Sequence, residues 1–176
     1  MIDMIEKKAA KIKLLLLDVD GVMTDGRITY SDQGVETKSF DVKDGQGLKM
    51  LMSAGVEVIL VTGRKSRIVE YRAKDLGIEK IYQGVTEKKD LCRQLIKKKD
   101  LKKQETCCMG DDLPDLDMFM ETGLRIAVAD AVKELREVAD FITKNEGGRG
   151  AVREVCDWIL KCQKKYPEES SAFSVK

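Results

Sequence analysis

Histidine does not occur anywhere in the 176-residue chain. Its absence excludes Ser-His-Asp hydrolysis, histidine phosphatases and histidine-ligated metals, and leaves acid–base work to carboxylates, lysine, tyrosine or thiol. Any metal bound here would be a hard, oxygen-ligated cation. Cysteine is present without a pattern: Cys92, Cys107, Cys108, Cys156 and Cys162 make an odd number, five, with no C-x-x-C spacing. A disulfide framework and a zinc site both lack support. No arginine stands six positions after any of them, so the phosphate loop of cysteine phosphatases is missing too. Long apolar runs are also lacking. Lys7, Lys8, Lys11 and Lys13 precede only four leucines, too few for a signal core or a membrane span, so the cytoplasm is the expected location. Neither charge sign is in excess, with 32 basic and 31 acidic residues, which argues against nucleic-acid and membrane partners. The basic run from Lys97 to Lys103 has no interleaved aromatic residue and reads as a solvated helix end.

What the chain does hold is organised around residues 14–26, LLLLDVDGVMTDG. An unbroken apolar run that stops on charge suits a central strand of a parallel sheet, buried on both faces. Asp18 then stands at the carboxyl end of that strand, with Asp20 beside it and Gly21 turning the backbone, where open α/β sheets bind ligands. Two carboxylates this close repel unless a divalent cation neutralises them.

Downstream, residues 27–42 alternate around Asp32-Gln33-Gly34 and read as a β-hairpin, too small to be a cap domain. Asp44 is expected to cap a helix from Gly45 to Ala54. Val56 to Val61 read as a second core strand, delivering Thr62, Gly63 and Arg64 to the edge that carries Asp18. Ser66 and Gly77 bracket a helix, Lys80 to Tyr82 form a short strand, and Thr86 opens a helix with Lys88 in its first turn. A lysine there opposes the helix dipole, which suggests service to a ligand. Glu105 to Met109 form a strand ahead of a second acidic turn, Gly110-Asp111-Asp112-Leu113-Pro114-Asp115. Asp130 is expected to cap a helix through Val138, Phe141-Ile142 to form an edge strand, and Gly147 to Gly150 to link to a last amphipathic helix with Val152, Val155, Trp158 and Ile159 inward. With no internal repeat, the pattern specifies one α/β domain over residues 1–165. It is a three-layer, Rossmann-like parallel sheet with a protruding hairpin and a mobile tail over 166–176.

Four motifs in register, DVDG, the TGR threonine, Lys88 and GDDLPD, resemble those of the haloacid dehalogenase superfamily of phosphohydrolases. Within it the chain is similar to the capless 3-deoxy-D-manno-octulosonate 8-phosphate phosphatases, through DVDGVMTDG, TGRKSRIVEYRAKDLGI, YQGVTEK, GDDLPDL, AVADA and GGRGAVREV. The resemblance implies a Mg2+-dependent phosphatase in lipopolysaccharide precursor synthesis, assembled as a homotetramer whose hairpins help close neighbouring sites. It implies Asp18 as nucleophile and Asp20 as acid–base, with Thr62 and Lys88 on the phosphoryl group. Asp18, the Asp20 carbonyl and Asp111 would bind the metal, supported by Asp112. Gly63, Arg64, Arg72 and Lys88 would meet the substrate, the arginines gripping a sugar acid carboxylate. Arg64 favours the eight-carbon acid, since the phosphatases for nine-carbon, sialic-acid-type phosphates tend to carry glutamate there. A phosphatase for such a nine-carbon keto-sugar acid phosphate is the first alternative, and a non-catalytic tetramerising module of this fold is the alternative from another class, against which the intact acids argue. A receiver domain would need an aspartate where Val61-Thr62-Gly63 offers none.

Overall fold

The computed structural model describes residues 2–167. The expected tail beyond Pro167 lies outside the described residues. Strand β1 (Leu14–Leu17) is fully buried, with every leucine 0% exposed, and it forms the centre of the molecule. On one side it pairs in parallel with β4 (Glu57–Thr62), which pairs with β5 (Lys80–Gln83). On the other side it pairs with β6 (Thr106–Gly110), followed by β7 (Leu124–Ala127) and β8 (Phe141–Ile142). The six-stranded order β5-β4-β1-β6-β7-β8 runs outward from β1 in both directions, so the topological switch point of the sheet falls at the end of β1.

Helices flank this sheet. α2 (Val42–Ser53) packs closely against α7 (Ala151–Cys162), and α7 also meets α1 (Ile2–Ala9). α3 (Arg67–Leu76) rests on α2, and α4 (Lys88–Lys98) packs on α5 (Leu116–Glu121). The short α6 (Lys133–Val138) lies on β7. The hairpin is smaller than its alternation suggested, with only β2 (Thr29–Tyr30) and β3 (Glu36–Thr37) paired. No helix among the described residues is long and apolar enough to cross a membrane.

Several local expectations need correction, and the reasons are physical. α2 begins earlier than expected, because Asp41 rather than Asp44 caps it, accepting from Lys43 N at 2.6 Å. Asp44 is buried and caps a different helix: it accepts from Gly150 N at 3.2 Å and Arg153 N at 2.8 Å in the first turn of α7. Asp130 likewise does not cap α6. It accepts from Gly147 N at 2.9 Å, while Val132 stands at the cap of that helix. α4 starts at Lys88 instead of Thr86. The Gly147–Gly150 stretch is no linker. A Cβ on Gly147 would lie 1.8 Å from Gly21 O, and Gly148 N donates to Val22 O at 2.8 Å, so the segment is pressed onto the loop after β1. Trp158 is only half-buried and stacks on Phe141, with ring centroids 4.6 Å apart. The helix α1 had no counterpart in the sequence reading.

α1 is tied to the sheet by one carboxylate. Asp140 accepts from Lys8 Nζ at 2.8 Å, and from Arg125 through the backbone N at 3.0 Å and Nε at 2.9 Å. Burial alone would raise its pKa, but the Arg125 and Lys8 hydrogen bonds outweigh burial and hold it at about 2. A depressed carboxylate contributes stability that is complete above its unfolded value and fades as pH falls through the folded one. Asp140→Asn should therefore lose about 1–2 kcal/mol at pH 7 in urea unfolding, with the gap to the parent closing between about pH 4 and pH 2. A gap independent of pH would contradict the assignment.

Candidate active site

Parallel register brings the functional residues to one edge. Leu17 stands level with Leu60 of β4 and Met109 of β6, so the residues just beyond them emerge together. Asp18 N donates to Met109 O at 3.1 Å, fixing the end of β1 to its neighbour. The loop then closes tightly: the amides of Met23 and Thr24 donate to Val19 O, and Thr24 Oγ1 accepts from Gly21 N and Gly26 N, both at 3.3 Å. Gly21 adopts φ +89°, and a Cβ there would lie 2.0 Å from Asp111 Oδ2. Only glycine lets the second acidic turn approach the first this closely.

Lys88, 5% exposed at the start of α4, donates to Asp18 Oδ1 and to Asp115 Oδ1, each at 2.7 Å. Burial works against its charge, but Asp18 and Asp115 prevail and hold the ammonium above its ordinary pKa. The unfavourable helix-dipole position is thus offset by two anions. Asp115 uses both oxygens, since its Oδ2 accepts from Asp111 N at 2.9 Å and Asp112 N at 3.3 Å. Oxygens of Asp18, Asp111 and Asp115 lie within 4.8 Å of one another. With Asp115 committed to Lys88 and to its own turn, Asp18 and Asp111 are the pair able to face a cation.

Their electrostatics agree. Burial pushes Asp18 upward, the Asp115 carboxylate adds to the rise, and Lys88 only partly opposes it. Burial also pushes Asp111 up to about 8, reinforced by Asp18, Asp115 and Asp112. Hard carboxylate donors crowded beyond what one lysine neutralises fit a divalent cation.

The other expected residues fall in three groups. Thr62 is buried at the end of β4, its Oγ1 accepting from Arg64 N at 3.2 Å, and with Gly63 and Arg64 it lines the same cleft of about 580 Å³ as Asp18, Asp20, Lys88 and Asp111. Asp112 also borders that cleft, but it is exposed and its carboxylate accepts from Leu113 N at 2.7 Å. Arg72 stands apart from the cleft lining, its guanidinium 5.5 Å from the Phe40 ring centroid and Nη2 donating to Asp41 O at 3.1 Å.

The hairpin supplies residues that the sequence reading did not single out. Lys38, with a fully buried side chain, donates to Asp20 Oδ1 and lies 3.3 Å from Glu36 Oε1. Arg64 Nη2 donates to Glu36 Oε2 at 2.9 Å and to Tyr30 OH at 3.3 Å. Asp115 was also missed. Its signal was the last acid of GDDLPD immediately before an apolar helix, where an unpaired charge would be costly.

Comparison with known proteins agrees with this geometry. Residues 78–155 match the haloacid dehalogenase-like hydrolase family. The 3-deoxy-D-manno-octulosonate 8-phosphate phosphatase of Yersinia pestis is 43% identical over 163 residues, covering 93% of this chain and 87% of that protein. That of Escherichia coli K12 is 44% identical over 161 residues, covering 92% and 86%. The crystal structure of the Moraxella catarrhalis 3-deoxy-D-manno-octulosonate 8-phosphate phosphatase with magnesium ion, phosphate ion and KDO superimposes with a TM-score of 0.91 at 44% identity, covering 94% of this chain and 95% of that one. A parallel sheet of this order, an acidic switch point with a buried lysine and likeness over nearly the full length of these relatives lead to one conclusion: the chain belongs to the 3-deoxy-D-manno-octulosonate 8-phosphate phosphatase family of haloacid dehalogenase-like hydrolases.

Proposed function

We propose that this protein hydrolyses 3-deoxy-D-manno-octulosonate 8-phosphate to the free sugar acid and phosphate, with Mg2+ held by the Asp18 and Asp111 carboxylates and the Asp20 carbonyl. The observation that carries the reading is the buried Lys88 joined to Asp18 at the switch point, with Asp111 within ligand distance of Asp18. Asp18 attacks phosphorus while the bond to the sugar oxygen breaks, giving an aspartyl phosphate without need of a histidine base. Asp20 donates the proton that the departing sugar oxygen takes up, then accepts one from the water that attacks the aspartyl phosphate. Lys88 and Thr62 hold the phosphoryl oxygens as negative charge spreads over them. The magnesium ion, when bound, supplies the positive charge that the crowded carboxylates and the phosphoryl oxygens lack. Asp112 lies outside that pair and supports the turn carrying Asp111.

Arg64 borders the cleft and grips the sugar carboxylate, with Gly63 leaving room beside it. Arg72 braces the hairpin stem through Phe40 and Asp41, a step removed from the substrate contact expected of it. A homotetramer joined through the hairpins is supported by exposed Ile28, Tyr30 and Val35 on this small projection. A cytoplasmic setting is supported by five free cysteines.

Asp18→Asn should retain the fold and lose at least about a thousandfold in turnover of the eight-carbon substrate, measured by phosphate release. Activity within tenfold of the parent would remove Asp18 as nucleophile. Asp111→Asn should melt a few degrees higher than the parent in chelator, because one repelling charge is gone, and should lose the rise in melting temperature that magnesium gives the parent. A lower metal-free melting temperature would count against a crowded acidic pair. Light scattering should return four chain masses, and a monomer would contradict the assembly.

A further inference from the structure

The hairpin brings a carboxylate onto the arginine assigned to substrate recognition. Glu36 Oε2 accepts from Arg64 Nη2 at 2.9 Å, while Glu36 Oε1 is buried without a hydrogen bond and lies 3.3 Å from the fully buried Lys38 ammonium. Arg64 Nε is likewise buried with no hydrogen-bond partner, 4.0 Å from Asp20 Oδ2. Arg64 is therefore half used. One terminal nitrogen serves Glu36 and Tyr30, and the side of the fork carrying Nε has no hydrogen-bond acceptor. A buried donor left unmade is costly, and a planar carboxylate is the group that matches the fork in two parallel bonds.

We propose that Glu36 occupies Arg64 in the place of the substrate carboxylate and yields it when a sugar acid phosphate binds, so that this hairpin residue holds down the preference for acids that Arg64 confers. The inference rests on Arg64 being the carboxylate reader. Lys38 makes the exchange feasible. When Arg64 turns to the substrate, Glu36 keeps a cation beside it instead of becoming an orphaned buried charge. A phosphate monoester without a carboxylate has nothing to exchange, leaves Arg64 on Glu36 and gains nothing from the guanidinium. Glu36 is thus a positioning residue acting through Arg64, and its effect belongs in KM for carboxylated substrates.

The test uses magnesium-loaded, full-length protein and two substrates, 3-deoxy-D-manno-octulosonate 8-phosphate and p-nitrophenyl phosphate, which lacks a carboxylate. Glu36→Gln removes the competing charge while keeping the shape. The ratio of kcat/KM for the sugar acid phosphate over that for p-nitrophenyl phosphate should rise roughly three- to fivefold, through KM, the scale of a partly exposed ion pair. Calorimetric titration with the free eight-carbon acid should tighten by the same factor. In an Arg64→Gln background, Glu36→Gln should leave the ratio where Arg64→Gln puts it. An unchanged or lower ratio in the single variant, or the same rise without Arg64, overturns the exchange. If Arg64→Gln by itself fails to lower the ratio, the carboxylate reading of Arg64 falls, and the proposal falls with it for a separately visible reason.

Discussion

The structure depends on a buried ammonium held between two carboxylates. Lys88 reaches from the start of α4 to Asp18 after β1 and Asp115 after β6, so three segments distant in sequence close on one charge. Taking such groups out of water is expensive, and removing one partner from a buried cluster of this kind typically costs about 3–5 kcal/mol. The cluster therefore fixes where β1, α4 and the acidic turn sit relative to one another. It also leaves negative charge over, because Asp111 stands against Asp18 with no lysine of its own. The same arrangement that orders the switch point makes it a receptor for a divalent cation and a phosphoryl group.

The surroundings serve that convergence by close backbone approach. Gly21 accepts the Asp111 carboxylate over its Cα, and Gly110 does the same for Asp115, whose side chain would lie 2.5 Å from a Cβ. Gly147 and Gly148 press on the loop from the other side, and Asp130 pins Gly147 while Asp44 pins the turn into α7. Two carboxylates outside the cleft lining thus hold segments around the site through backbone amides. The hairpin completes the enclosure with polar side chains, linking Asp20, Lys38, Glu36 and Arg64 in a chain of alternating charge. Asp20 lies between Lys38 and the Arg64 fork.

Much of this was legible in the sequence where one local signal implied one local state. Leu14 to Leu17 could only be buried on both faces, and parallel pairing then put Asp18, Thr62 and Asp111 at one edge. The acids with longer-range duties were not legible. Asp44 and Asp130 sit near helix starts, as ordinary caps do. Nothing local says that the amides left open in the fold belong to α7 and to Gly147. The alternation of the hairpin shows which residues share a face. It does not show that Glu36 and Lys38 fold back over Asp20, because that contact is fixed by the loop after β1. Nor could the sequence show that Arg72 lies against Phe40 and donates to Asp41 O, contacts set by where the stem of the hairpin meets α3.

The central claim is that a cation sits between Asp18 and Asp111 while Asp115 stays on Lys88. Crystals grown with manganese in place of magnesium, with data collected for anomalous scattering, test it most directly. The account predicts a single strong peak within about 2.5 Å of oxygens from Asp18 and Asp111, with the Lys88–Asp115 contact intact. A peak ligated by Asp115, or one remote from Asp18, would contradict it.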